Sequence, residues 1–345
     1  MNDRIARLRE SLEEPLLVTN PTNVFYLVGF QSSNTVLLVD GERVQLFTDF
    51  RYLEAARAVE GVEVVQTQRA ILGDLAGRLS GPVGVEAATL SYAQVETLRG
   101  GAVEVVPHVG LVERLRAVKD ASELEAIRRA CRITDRVYEK LGDLRFIGRT
   151  ERDVSWDVTR LFHEEGGEGL AFETIVGSGP TGSRPHARAG DREIGRCELV
   201  VIDAGCTVGG YASDYTRTFS TGPVDEEARE AYAVVLAAQE TALETIRAGL
   251  PAIEVDGAAR RVIEESRFAG MFGHGLGHGL GLDVHEDPKM STETTDVLAA
   301  GNVVTVEPGV YVEGRFGVRI EDDVVVTAGG IENLTGFTKD LLDVS

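Results

Sequence analysis

Two pairs of acids and a cluster of histidines carry the chemistry this sequence can offer. Asp203 closes the apolar run Leu199-Val200-Val201-Ile202, and Asp214 follows beyond Val208-Gly209-Gly210. With a turn at those glycines, the two aspartates lie opposite or diagonal on one face of a hairpin. Carboxylates that close repel one another and resist ionisation unless a cation stands between them. Glu307 and Glu321 repeat the arrangement about Gly314, and Arg319 shares their face, placed to hydrogen-bond and orient a ligating carboxylate. A surface charge ladder explains one such hairpin more readily than two, each beside a Val/Ile run.

The third feature is the run Gly273 to Glu286, which holds His274, His278 and His285, three of the six histidines in the chain. A fourth, His186, lies in the loop Ser183-Arg184-Pro185-His186-Ala187. Glycines leave room for close approach, so histidines in such a run point to a site, not to core packing. His108, at a strand end, and His163, at a helix end, read as ordinary polar positions. Four carboxylates with histidine are too oxygen-rich for a structural zinc. The set suits two divalent ions of the manganese, cobalt, iron or zinc type sharing bridging carboxylates.

Elements must exist to hold these side chains. At 345 residues the chain is long enough for two domains, and 43% hydrophobic with 26% charged residues is an ordinary composition for a folded protein. A net charge of -21 argues against binding nucleic acid phosphates or an anionic membrane, which need a basic face. No stretch is apolar enough for a membrane span, and the charged N-terminus is unlike a signal peptide. Three cysteines, Cys131, Cys197 and Cys206, form no CxxC pair, which points to a reducing cytoplasm.

Residues 1–117 read as an α/β domain, a mixed sheet with flanking helices. After a short polar helix, strands are expected at Val24–Val28, Thr35–Val39 and Val44–Thr48, the last two joined by a hairpin at Asp40-Gly41. A helix is expected over Arg51–Val59, and strands at Val62–Val65, Val83–Val85 and Val103–Val106. Residues 118–345 read as α+β. Capping signatures at Asp120/Glu123 and Thr150/Asp153 start two amphipathic helices; a third runs from Asp225 to Gly249 and a fourth over Val255–Arg267. Strand pairs follow: Leu199–Ala204 with Tyr211–Phe219, and Val303–Val312 with Val318–Val326.

The order Asp203, Asp214, His278, Glu307, Glu321 resembles the five-ligand signature of the pita-bread metallopeptidases, the creatinase/methionine aminopeptidase superfamily. The strings VIDAGCTVGGYASDYTRTF, GHGLGHGLGLDVHE, TVEPGVY and GVRIEDDVVV resemble its proline-specific branch, aminopeptidase P and prolidase. NVFYLVGF resembles that branch's creatinase-type N-terminal domain, a domain methionine aminopeptidases usually lack. The resemblance implies that Asp203 chelates one metal, Asp214 and Glu321 bridge two, and His278 and Glu307 complete the second. It implies substrate contacts near the scissile bond for His186 and His285, a proline pocket lined by His274, and supporting positions at Tyr311 and Arg319.

The implied activity is hydrolysis of the N-terminal Xaa-Pro bond, with hydroxide generated by two divalent metals as nucleophile and Glu307 as proton carrier. Manganese is favoured, with cobalt or zinc as alternatives. A homodimer and peptides with proline in second position are the implied partners. Prolidases typically hold the dipeptide carboxylate with an Arg just after the His-Glu pair; here Lys289 stands there, near Asp287. Lysine is a mobile point charge, so aminopeptidase P is favoured over the dipeptidase. Arg184 or Arg188 could hold the carboxylate instead. A non-catalytic peptide-binding module and a metal-free creatinase-like hydrolase both require lost ligands, and all five are present.

Overall fold

The computed structural model describes residues 3–345, which divide into two units, one ending at Arg116 and one beginning at Ala117. In the first, α1 (Asp3–Arg9) precedes a strand the sequence reading overlooked, β1 (Leu16–Val18). The run Val24–Val28, expected as a strand, belongs instead to helix α2 (Pro21–Val28). Local signals decide this. The Asn20 side chain accepts the Thr22 N–H, Pro21 occupies the first helical turn, and Gly29 ends the helix at a φ of 68°. A short continuous apolar run is equally compatible with either element.

The unit continues through β2 (Thr35–Val39), β3 (Val44–Thr48), α3 (Leu53–Ala56), β4 (Glu63–Gln66), α4 (Ile71–Ala76), β5 (Ser80–Glu86), α5 (Tyr92–Arg99), β6 (Ala102–His108) and α6 (Leu111–Ala117). Helix α3 keeps only four residues of the expected Arg51–Val59 helix. At the β2–β3 turn the Asp40 carboxylate accepts the N–H groups of Glu42 and Arg43. The sheet order is β4-β3-β2-β1-β5-β6, mixed, with β3–β4, β1–β5 and β5–β6 parallel. His108 pairs with Glu14 at its margin.

The second unit starts with α7 (Ala121–Gly142) and α8 (Glu151–Glu164), each opened by a complete capping box, Asp120 with Glu123 and Thr150 with Asp153. Their buried faces, including Ile127, Val137, Val154 and Phe162, pack into the core of the unit. Next come β7 (Gly169–Leu170), β8 (Ile175–Ser178), a 3-10 turn over Gly179–Ser183, β9 (Leu199–Ala204), β10 (Cys206–Val208), β11 (Tyr211–Ala212) and β12 (Tyr215–Ser220). The single strand expected over Tyr211–Phe219 is therefore two, and Asp214 sits in the break. Helix α9 (Glu226–Thr245) stops short of the expected Gly249 because Ile246 turns extended, and α10 (Ala252–Glu264) follows.

The remaining strands are β13 (Gly277–Gly279), β14 (Glu286–Met290), β15 (Val303–Val306), β16 (Gly309–Val312), β17 (Phe316–Arg319), β18 (Asp322–Val326) and β19 (Ile331–Asn333). They form a five-stranded sheet, β14-β13-β15-β18-β19, and a separate ribbon, β16-β17. Gly309 pairs with Arg319 and Val306 with Asp322, so both ladders centre on Gly314. Glu307 and Glu321 occupy the two breaks where ribbon and sheet separate. Arg217 in β12 is buried and paired at 2.9 Å with buried Asp322, tying the two acidic hairpins together. Losing one partner of such a pair costs roughly 3–5 kcal/mol. Among the described residues, no helix is long and apolar enough to cross a membrane.

Candidate metal centre

Ligand atoms of Asp214, His278 and Glu321 come within 4.8 Å of one another. Glu307 joins them, its Oε1 lying 3.4 Å from His278 Nε2. The His278 Nδ1 faces its neighbour's carbonyl, Gly279 O, at 3.1 Å; donation there leaves the Nε2 lone pair facing the acids. Asp203 stands opposite Thr216 in the β9–β12 ladder, and Asp214 lies two positions ahead of that partner, the diagonal arrangement. Asp203 is not within the three-residue group. Arg319 connects it: Nη2 donates to Asp203 Oδ2 at 2.6 Å and Nε to Thr216 Oγ1 at 2.9 Å, while Thr216 donates to Glu321 Oε2 at 2.7 Å.

Arg319 reaches further. Its Nη1 donates to Tyr311 OH at 2.9 Å and to Pro185 O at 3.2 Å, beside His186. Tyr311 OH in turn meets His274 Nε2 at 3.0 Å. Named above as supporting positions, Arg319 and Tyr311 are held by protein partners and arrange the side chains around them. His285 is exposed, with its ring centroid 4.3 Å from that of His278. His186 is exposed and close enough to His274 to act on its charge. Lys289 is exposed on β14 directly across from His278.

The electrostatics are those of buried, mutually repelling carboxyl groups. Burial, then repulsion from Asp203, Asp323 and Glu307, holds the Asp214 carboxyl well above the usual range. Burial, then Asp214, Glu307 and Asp203, does the same to Glu321. Burial pushes Glu307 up to about 8, against the pull of Arg319. Burial lowers His278 and His274 to about 4, so both are neutral near pH 7. Asp203 Oδ1 is buried without a hydrogen-bond partner. An orphaned buried oxygen, crowded carboxylates and a neutral imidazole nitrogen form a donor set that fits divalent cations.

Three supporting residues escaped the sequence reading. Thr216 links Arg319 to Glu321, Thr305 donates to Glu307 Oε1 at 3.3 Å and accepts the His278 N–H, and Asp323 accepts the Asp214 N–H at 2.9 Å. Their positions flanking the ligands are the only sequence signal they give.

Comparison with known proteins agrees with this geometry. Residues 125–328 match Metallopeptidase family M24, and residues 4–118 match the Creatinase/Prolidase N-terminal domain. An Xaa-Pro dipeptidase of Pyrococcus furiosus is 35% identical over 99% of this chain and 100% of its own. The structure of an Xaa-Pro dipeptidase from Bacillus anthracis superposes with a TM-score of 0.95 at 35% identity, covering 99% of each chain. That of an X-Pro aminopeptidase from Thermotoga maritima gives 0.88 at 34% identity, covering 98% of this chain and 99% of that one.

Proposed function

The chain belongs to metallopeptidase family M24 and carries a creatinase/prolidase N-terminal domain, and from that premise we propose that it hydrolyses Xaa-Pro dipeptides. This moves the preference from aminopeptidase P, favoured on sequence, to the dipeptidase. Full-length relatives bearing the name Xaa-Pro dipeptidase support the move. The observation that carries it is the β13–β14 register. Residues directly opposite in an antiparallel pair share a face, so Lys289 projects on the same side as His278. Along β14, Asp287 and Lys289 are exposed while Pro288 and Met290 are buried. In this reading the Lys289 ammonium, weaker than an arginine fork but on the His278 face, is the cation that pairs with a carboxylate one residue beyond the scissile bond.

Asp203, Asp214, His278, Glu307 and Glu321 would hold two divalent ions, with Asp214 and Glu321 shared; manganese as the ion and a homodimer as the assembly belong to this reading. When bound, the ions supply positive charge that acidifies a water and polarises a carbonyl. Glu307 takes a proton from the attacking water and returns it to the proline nitrogen as the C–N bond breaks. His186 and His285 donate to the oxygen on which charge develops. His274, braced by Tyr311, lines the space for the proline ring. The Xaa-Pro bond is a tertiary amide with no N–H, so ring shape must supply the recognition that other peptide bonds obtain from that donor.

Measuring kcat/KM on an Xaa-Pro dipeptide and the matching Xaa-Pro-Xaa tripeptide tests the proposal. The dipeptide is expected to be preferred by roughly tenfold or more, and Lys289→Met should erase that preference through KM. A tripeptide preferred by the same factor would restore the aminopeptidase.

A further inference from the structure

Helix α10 lies behind the glycine-rich segment and contributes an ion pair, its acid buried and its arginine partly so, that the chemistry above does not use. Asp256 is fully buried; its Oδ1 accepts the Leu276 N–H at 3.1 Å, and its two oxygens accept Arg260 Nε and Nη2 at 2.8 Å each. Arg260 then spends its other donors on backbone. Nη1 reaches Phe272 O and Nη2 reaches His274 O, both at 2.8 Å, so one guanidinium grips the carbonyls on either side of Gly273. Its plane covers the Phe272 ring, 4.2 Å from the centroid. Phe272 in turn meets the His274 ring edge-on, at 5.0 Å and 89°. From there the contact to Tyr311 OH leads back to Arg319.

Packing alone would not select this arrangement. An apolar residue would fill the same space without a buried charge to satisfy, whereas the planar fork specifies where two carbonyls and one ring must stand. We propose that the Asp256–Arg260 pair is a positioning element that sets selectivity for a cyclic residue after the scissile bond, by fixing the Phe272–His274 wall. It rests on the reading of His274 as part of the proline pocket. Displacing that wall widens the pocket for every substrate but removes a contact only proline makes, so discrimination falls before the reaction itself does.

The test uses the metal-loaded full chain with an Xaa-Pro and an Xaa-Ala dipeptide. Arg260→Lys keeps the charge and loses the fork; Asp256→Asn keeps the arginine and loosens its anchor. Phe272→Leu removes the stacked ring and keeps both carbonyl grips, a milder change should the first two fold poorly. In all three the ratio of kcat/KM for proline over alanine is expected to fall by roughly tenfold, mainly through KM for the proline substrate, with metal content unchanged. Uniform loss on both substrates with the ratio kept within about twofold would overturn the inference and leave a merely structural pair. Wild-type protein with no preference for proline would instead overturn the substrate reading, and the inference with it.

Discussion

Stripping the metal with a chelator and raising the pH from 6.5 to 8 should loosen the catalytic unit. In the metal-free chain Glu307 is pushed up from 4.5 to about 8, and Asp214 and Glu321 are held up by burial and mutual repulsion. Such groups keep protons in the folded state that the unfolded chain has already released, so stability is lost as pH rises through that range. Below pH 6.5 the effect is partly opposed. His274 and His278 sit near 4 when folded and at 6.5 when unfolded, and they drive stability upward with pH until the unfolded histidines are neutral. Between 6.5 and 8 that opposing contribution fades as the unfolded imidazoles lose their remaining protons, and the carboxylates dominate. At about 1.4 kcal/mol per unit, Glu307 contributes roughly 2 kcal/mol over that window, and the other two add in the same direction. At about 2–4 °C per kcal/mol, the melting midpoint of the metal-free protein should fall by roughly 5 °C or more. The loaded protein carries the same surface charge, so the difference between thermal scans of the two forms isolates the site. A midpoint gap that stays constant or narrows from pH 6.5 to 8 would refute this account of the carboxylate cluster.

Arg319→Lys keeps a charge beside Asp203 but cannot reproduce the four hydrogen bonds that join Asp203, Thr216, Tyr311 and Pro185. Metal titration and steady-state kinetics should show affinity and kcat/KM each reduced by roughly 10- to 100-fold; retention of both would remove Arg319 as the organiser of the site. His186→Ala and His285→Ala should lower kcat by roughly 100-fold or more with metal content near wild type, as expected of donors to a developing oxyanion. Loss of metal in either variant would place that histidine among the ligands.

Local signals were legible in the sequence, and long-range ones were not. The capping boxes at Asp120 and Thr150 depend on residues three apart, and both stand as expected. The symmetric register about Gly314 also followed from spacing, because a hairpin with one turn keeps the sum of paired positions constant. Val24–Val28 misled because an apolar run carries no period, and the decisive residues, Asn20 and Gly29, lie outside it. Asp214 and Asp203 were placed on one face, but the break between β11 and β12 was hidden by strand-like residues on both sides of it. Arg319 was visible as a neighbour of Glu321. Its hold on Pro185 spans 134 positions, and no pattern within a helix or strand encodes such a contact. The Asp256–Arg260 pair looks on sequence like any surface pair one helical turn apart; only burial and the carbonyls of Phe272 and His274 distinguish it.

The central claim is that five side chains from two hairpins and one glycine-rich strand build a dinuclear site that does the hydrolysis. Metal analysis of the reconstituted protein beside its Glu321→Gln variant, with Xaa-Pro hydrolysis measured on the same samples, tests it most directly. The wild-type chain is expected to hold about two divalent ions and to lose activity on chelation, recovering it when metal returns. The variant, lacking a shared carboxylate, is expected to hold about one ion or fewer and to be inactive. A variant that binds two ions and turns over at the wild-type rate would contradict the account.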